Sequence, residues 1–305
     1  MLGALAIVLP IFGLIAVGYA ARRLRAVSDR TGEGLSDFVF TLSTPCLIFR
    51  TLARADLPAV QPWGYWIAYF AAVAIVWAIA SFAARRLFGL TGTAATVAGF
   101  TAGQANMVLI GIPLILKTYG DEGAVPLFLL VAVHLPVIMV TATLMVEGRR
   151  APLLLIARRL LVHPVILSLI LGLLGRLVAS AIPPAAWQII DFLAAAAIPC
   201  SLVAMGIALS RYGMEAGWRL PALITGLKLG LQPLIVLVLT RYVFAVPPAW
   251  SGVAVLFAAC PCGINAYLFA ERYREGVAIA SSAVALSTAL ALLTTIVWLQ
   301  VLGVG

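Results

Sequence analysis

Apolar residues in this chain fall neither in alternation nor in a narrow amphipathic stripe. They come in long runs, nearly uninterrupted, separated by short basic connections. Ten runs can be marked, at about 2–20, 35–53, 62–84, 92–116, 123–146, 157–179, 186–209, 218–240, 251–270 and 276–302. Each approaches the roughly 20 residues an α-helix needs to cross a hydrocarbon core. A helix apolar on every face packs among other helices or against lipid. The pattern predicts an all-α polytopic membrane protein with ten transmembrane helices.

Two runs break the pattern. Residues 99–120, GFTAGQANMVLIGIPLILKTYG, carry Gln104 and Asn106 in mid-run, with Gly103 and Gly111 around them and Pro113 after them. Residues 251–272, SGVAVLFAACPCGINAYLFAER, repeat the construction with Pro261, Gly263 and Asn265. A helix interrupted at mid-depth exposes carbonyls and amides, which a bilayer tolerates only where they face protein or a wet cavity. A matched pair of such segments in two halves of a chain points to a transport site.

The halves also correspond in sequence. A shift of 154 residues pairs Pro10 with Pro164, Gly18 with Gly172, Asp37-Phe38 with Asp191-Phe192 and Pro45-Cys46 with Pro199-Cys200. One further residue of slip pairs Trp63 with Trp218 and Arg86 with Arg241. Five runs per half is an odd number, so the second copy enters the membrane inverted. The expected organisation is two inverted five-helix repeats, residues 1–150 and 155–305, with broken, crossed helices at positions 4 and 9.

Composition agrees with this and adds an orientation. The chain is 64% hydrophobic and 10% charged, with a mean hydropathy of +1.12. Its net charge of +9 would suggest nucleic acid in a soluble protein, but the basic residues lie between the runs, and no nucleic-acid partner is expected. Fourteen of the twenty occupy odd-to-even connections: Arg22, Arg23, Arg25, Arg30, Arg85, Arg86, Arg149, Arg150, Arg158, Arg159, Arg211, Arg219, Arg272 and Arg274. Only Arg50, Arg54, Lys117, Arg176 and Arg241 occupy the opposite face. The bias places the richer face in the cytoplasm and both termini outside, in an inner (plasma) membrane. The first run has no basic region before it and reads as a spanning helix, not a cleaved leader. Cys46, Cys200, Cys260 and Cys262 all lie inside apolar runs, which implies neither disulfides nor a metal site.

The polar groups at depth are the candidate chemistry. Gln104, Asn106, Asn265 and Tyr267 lie in or beside the breaks and either contact a substrate or satisfy interrupted backbone. Gly111, Pro113, Pro261 and Gly263 would form the crossover itself. Lys228 stands mid-run in LPALITGLKLGLQPLIVLVL, where an ammonium must face the bundle interior, against an acid, a cavity or an anion, with a purely structural ion pair as the alternative to substrate binding. Asp37, Asp191 and His134 are candidates for coupling or gating. The alternatives are helix capping for the aspartates and a bond to a released carbonyl for His134.

The run from Asn106 to Leu114, NMVLIGIPL, followed by Tyr119-Gly120, resembles the auxin efflux carrier family of membrane transport proteins. So does PCGINAYLFAERY from Pro261 to Tyr273, with SSAVALSTALALLTTIVWL after it. That family is similar in architecture to bile acid:sodium symporter-like proteins. The resemblance implies ten helices in inverted repeats, helices 1, 2, 6 and 7 as a scaffold domain and helices 3–5 and 8–10 as a transport domain. It also implies a secondary active transporter of a small organic anion, with malate or malonate the usual suggestions in bacteria. The chain lacks the long hydrophilic central loop of the plant carriers and has Gln104-Ala105-Asn106 where they have Asn-Pro-x-x-Tyr. A bacterial carrier of a small organic anion such as a carboxylate is therefore expected in place of an auxin carrier. H⁺ and Na⁺ both stay open as coupling ion, no cofactor is expected, and a homodimer is compatible. A channel or sensor-like protein, or a membrane-embedded enzyme, is the alternative. No His-Glu-x-x-His, Gly-x-Ser-x-Gly or Walker A sequence is present.

Overall fold

The computed structural model describes residues 2–55, 62–148, 154–155, 158, 161–213 and 217–304. Among them every regular element is a helix. The helix α1 is Leu2–Arg23. Next, α2 covers 29–54, running as Asp29–Phe38, a π turn Val39–Ser43 and Thr44–Arg54. Trp63–Leu87 is α3 and Gly92–Gly103 is α4. After a break, α5 covers 107–119, opening on the π turn Met107–Gly111. Gly120, at φ 55 and ψ −137, a conformation suited to glycine, divides Ile112–Glu147 and leaves 121–147 as α6. Pro164–Gly175 is α7 and Pro184–Leu209 is α8. Then α9 covers 219–243, with π turns at Leu227–Leu231 and Leu239–Val243. Pro248–Ala259 is α10, Ile264–Tyr273 is α11 and Val277–Leu302 is α12.

Six stretches are long and apolar enough to cross a membrane: Leu2–Arg23, Trp63–Leu87, Met107–Glu147, Pro184–Leu209, Arg219–Val243 and Val277–Leu302. The remaining expected runs appear as shorter or divided helices, with two differences from the sequence reading. First, α2 starts at Asp29, not near 35, because Ser28 and Thr31 form a reciprocal capping box over polar residues that hydropathy cannot register. Arg22 also grips Asp29 at 2.6 and 2.7 Å, and that hydrogen bonding holds the Asp29 carboxyl below its ordinary range. Second, the run expected at 157–179 is interrupted at Val162 and His163: the described Arg158 and Leu161 before them are helical, and α7 starts afresh on Pro164 and ends at Gly175 before a 3-10 turn at Ala179–Ala181. The central basic connection is only partly visible: Arg149, Arg150 and Arg159 lie outside the described residues.

Three of the π turns share a cause. Pro45, Pro113 and Pro233 each stand two residues beyond such a turn. A proline has no N–H and its ring crowds the carbonyl four residues back. The wider turn relieves that crowding, with Thr44, Ile112 and Gln232 bonding five residues back to Val39, Met107 and Leu227. In α9 the carbonyl freed by Pro233, that of Leu229, takes the Trp298 indole at 2.8 Å.

α1 lies against α8 and also meets α12, and α2 lies against α7 and α8. The helices α3, α4, α9, α10, α11 and α12 pack on one another and on residues 112–147. The two broken segments are deeply covered, for residues 94–115 and 251–263 are buried without a gap. The polar interruptions therefore occupy the best-covered part of the chain, where lipid cannot reach their open backbone.

Candidate functional site

Helix α4 ends with Gln104 extended (φ −82, ψ 121), and α10 ends with Cys260 extended (φ −60, ψ 145). The two interruptions cross there and bond to each other. The Asn106 amide donates to Pro261 O at 2.9 Å, and the Gly263 amide donates to Gln104 O at 2.9 Å. Between these bonds Ala105 and Cys262 form an isolated antiparallel bridge. A Cβ at Gly263 would stand 2.7 Å from Ala105 O, so only glycine permits this approach. At Gly111 a Cβ would meet Cys260 Sγ at 3.3 Å.

The middle residues of the breaks are satisfied from outside the crossing. The Ala105 amide donates to His134 Nε2 at 3.5 Å, and the Cys262 amide to Ser287 Oγ at 3.0 Å. With Nε2 accepting, the His134 proton belongs on Nδ1, which lies 2.9 Å from Tyr69 Oη. The buried ring is packed edge-on against Tyr69 and Phe257. His134 thus accepts from a freed amide; the sequence's alternative to a coupling role was a bond to a freed carbonyl.

The side chains at the crossing are not all fully engaged. Asn106 Nδ2 donates 3.2 Å to Met205 Sδ of α8, a weak acceptor. Gln104 is buried, its amide nitrogen reaches Ala105 O only at 3.5 Å, and its Oε1 has no hydrogen-bond partner. The first turns of α5 and α11 begin here, directing backbone N–H groups and the positive ends of two helices at the crossing. That arrangement suits a small anion.

The family model described as "Membrane transport protein" matches residues 4–299. The chain belongs to the auxin efflux carrier family of membrane transport proteins. It is 31% identical over 307 residues to a Rhizobium meliloti (strain 1021) protein named "Putative malonate transporter", covering 94% of this chain and 92% of that one. An "Uncharacterized transporter" of Methanothermobacter thermautotrophicus is 25% identical over 315 residues, spanning 99% of each chain. With its long apolar helices, this member of a transporter family is a multi-pass membrane protein.

In this family member the other candidates stand at varying distance from the crossing. Lys228 is fully buried, and its Nζ donates to Gln232 Oε1 at 2.8 Å and to Ala258 O at 2.9 Å. The sequence leaves an acid, a cavity or an anion open as its surroundings; both partners here are neutral oxygens. Asn265 and Tyr267 are half-buried in the first turns of α11, and Tyr267 packs edge-on against Tyr212 beyond the end of α8. Asp191, half-exposed, is held by Arg50 at 3.5 Å and Arg54 at 3.4 Å, and Asp37 is exposed. Neither aspartate bonds to the crossing. Among the described residues no cluster of His, Cys, Asp and Glu could hold a metal.

Several participants escaped the sequence reading: Tyr69, Met205, Gln232 and Ser287. Gln232 was within reach of it, being polar and one helical turn from Lys228. Tyr69 and Met205 carry no local signal, because their partners are 65 and 99 residues away.

Proposed function

We propose that this protein is a secondary active transporter of a small carboxylate, malonate or a close relative, working by alternating access with the helix crossing as its binding site. The observation that carries the reading is the pair of breaks bonded to each other through Asn106, Pro261, Gly263 and Gln104. They gather two helix N-termini and under-used amides in one buried place. A carboxylate would replace the Met205 thioether as acceptor for Asn106 with a stronger, charge-assisted bond. Asn265, in the first turn of α11, would donate from the other half. The relative named for malonate supports a short carboxylate as cargo.

In this reading the chain spans the membrane ten times as two inverted five-helix repeats, α4–α5 and α10–α11 being spans 4 and 9. Contacts related by the repeat favour it. A Cβ at Gly18 would meet Val203 O at 2.2 Å, and one at Gly172 would meet the Phe49 backbone at 3.2 Å. The shift of 154 that turns Gly18 into Gly172 also turns Phe49 into Val203, so the two contacts exchange under the repeat. The pairs Ala105–His134 and Cys262–Ser287 exchange in the same way, within a few residues. Spans 1, 2, 6 and 7 (α1, α2, α7 and α8) would be the scaffold and the others the moving body. Asn106–Met205 would then bridge the two bodies at the site. The orientation proposed is the one with both termini outside an inner membrane.

Uptake of labelled malonate into proteoliposomes, with melting temperatures of the purified protein against a series of carboxylates, tests the function. Saturable uptake and a concentration-dependent rise in Tm with dicarboxylates are expected. If no carboxylate shifts the melting temperature and none is transported, the carrier reading fails.

A further inference from the structure

A fully buried lysine ordinarily has a carboxylate beside it. Lys228 does not: the five ion pairs among the described residues, Arg22–Asp29, Arg50–Asp191, Arg54–Asp191, Arg211–Glu33 and Arg272–Glu147, all exclude it. Its partner Ala258 O belongs to the last turn of α10. In a continuous helix that carbonyl would accept from Cys262, whose amide is instead spent on Ser287 Oγ. The ammonium therefore sits on the open, negative end of a half-helix and replaces the missing donor. Thr225, Lys228 and Gln232 line one buried stripe of α9, with Thr225 Oγ1 and Gln232 Nε2 left without hydrogen-bond partners. The π turn Leu227–Leu231 surrounds the lysine.

Carbonyls at a half-helix C-terminus are also what broken-helix carriers offer to Na⁺, and here the Gln232 amide oxygen joins one on the same ammonium. The other break lacks any counterpart of the ammonium. The shift of 155 that pairs Trp63 with Trp218 puts Val73 opposite Lys228. Val73 Cγ1 would lie 3.3 Å from a Cβ at Gly103, at the end of α4, so that half-helix end is covered by an apolar side chain.

We propose that the Lys228 ammonium is a tethered counter-cation, filling the place at the end of α10 that a bound monovalent cation would otherwise take, and that carboxylate binding therefore needs no Na⁺. Lys228 is then a positioning residue: it holds α10 to α9 and fixes the crossing. It touches no substrate. This inference rests on the carrier reading.

The test uses the full-length protein, with melting temperatures read in sodium, potassium, choline and methylammonium chloride at equal ionic strength, with and without malonate. For the parent, the Tm and the malonate-induced shift should be the same in all four salts. Lys228→Ala, which leaves a vacancy, should melt lower in choline and be raised saturably by Na⁺ or methylammonium. Lys228→Met fills the vacancy without charge and should stay below the parent in every salt. A parent stabilised saturably by Na⁺ overturns the proposal. So does a Lys228→Ala variant that melts like the parent, or that no small cation rescues. Should Lys228→Ala not fold, Lys228→Met decides alone: melting at or above the parent overturns the proposal, and melting below it supports it. A parent that binds malonate only with Na⁺ loses the tethered cation and keeps the carrier reading. One that answers to no carboxylate in any salt loses the carrier reading itself.

Discussion

His134 and Ser287 have little chemistry in common, yet each accepts the amide of the middle residue of a helix break. What the two positions share is an acceptor at the right height. Removing the acceptor at Ser287 strands a buried N–H, at a cost of about 1–3 kcal/mol. Ser287→Ala should therefore lower the thermal stability of the purified protein measurably. His134→Gln, which keeps an amide oxygen, should be milder than His134→Leu. Equal melting temperatures for Ser287→Ala and the parent would mean that another group takes the Cys262 amide. Asn106 differs, because its partner in this state is only the Met205 thioether. Asn106→Ala should weaken malonate binding by tenfold or more, about 1.4 kcal/mol, while yield and melting temperature stay near the parent's. Normal affinity in that variant, read by isothermal titration, would return Asn106 to a purely structural role. Lys228, Asn106 and Gln104 were legible as polar residues in apolar surroundings, where a bilayer allows few accidents. Their partners were not legible, because an acceptor such as Met205 looks like any other apolar residue until the fold brings it near.

At the scale of the helix, proline placement governs more than breakage. Pro261 lies within a true interruption, whereas Pro45, Pro113 and Pro233 follow π turns inside helices that continue. The sequence shows where the prolines are. It does not show which outcome each has, since that depends on whether a neighbour takes up the freed carbonyl, as Trp298 does for Leu229. For the same reason run boundaries were read closely for α3, α8 and α12 and poorly for α2, whose polar first turn is set by its cap. Pro233→Ala tests the argument. Restoring the N–H lets α9 close into a regular helix by bonding Leu229 O, in competition with Trp298. The extra residue of the π turn would then be absorbed and Lys228 turned away from Ala258 O. Transport should fall about tenfold, roughly 1.4 kcal/mol in the barrier, with melting temperature unchanged or higher. Unaltered uptake would show that the wide turn does not govern the lysine's position.

For the molecule as a whole, topology is the property most open to refutation, and the ion pairs already constrain it. The basic-residue bias assigns every connection to one of two faces. An ion pair in the folded protein cannot join residues on opposite faces. Arg22–Asp29, Arg211–Glu33 and Arg272–Glu147 each join residues assigned to the cytoplasm, and Arg50 and Arg54 meet Asp191 on the face assigned outside. None crosses. Trp63 and Trp218, repeat-equivalent and both well exposed, start α3 and α9 on opposite assigned faces, where indoles anchor helices at the membrane interface. The harder question is whether the broken segments cross the membrane or dip in and return, since α4 and α10 are each only 12 residues long. Single cysteines on either side of each break answer it. Ala26, Thr91 and Glu275 should label with an impermeant maleimide only from the cytoplasmic side, and Asp121, Pro247 and Val304 only from outside. A background lacking Cys46 and Cys200, the two half-buried thiols, removes competing sites, and buried Cys260 and Cys262 can remain. Thr91 and Asp121 bracket α4–α5, while Pro247 and Glu275 bracket α10–α11. If both members of either pair label from the same side, that segment is a re-entrant hairpin. The crossing would then join two hairpins rather than two spanning helices, and the inverted five-helix repeat, with the exchange of its halves on which alternating access depends, would not survive.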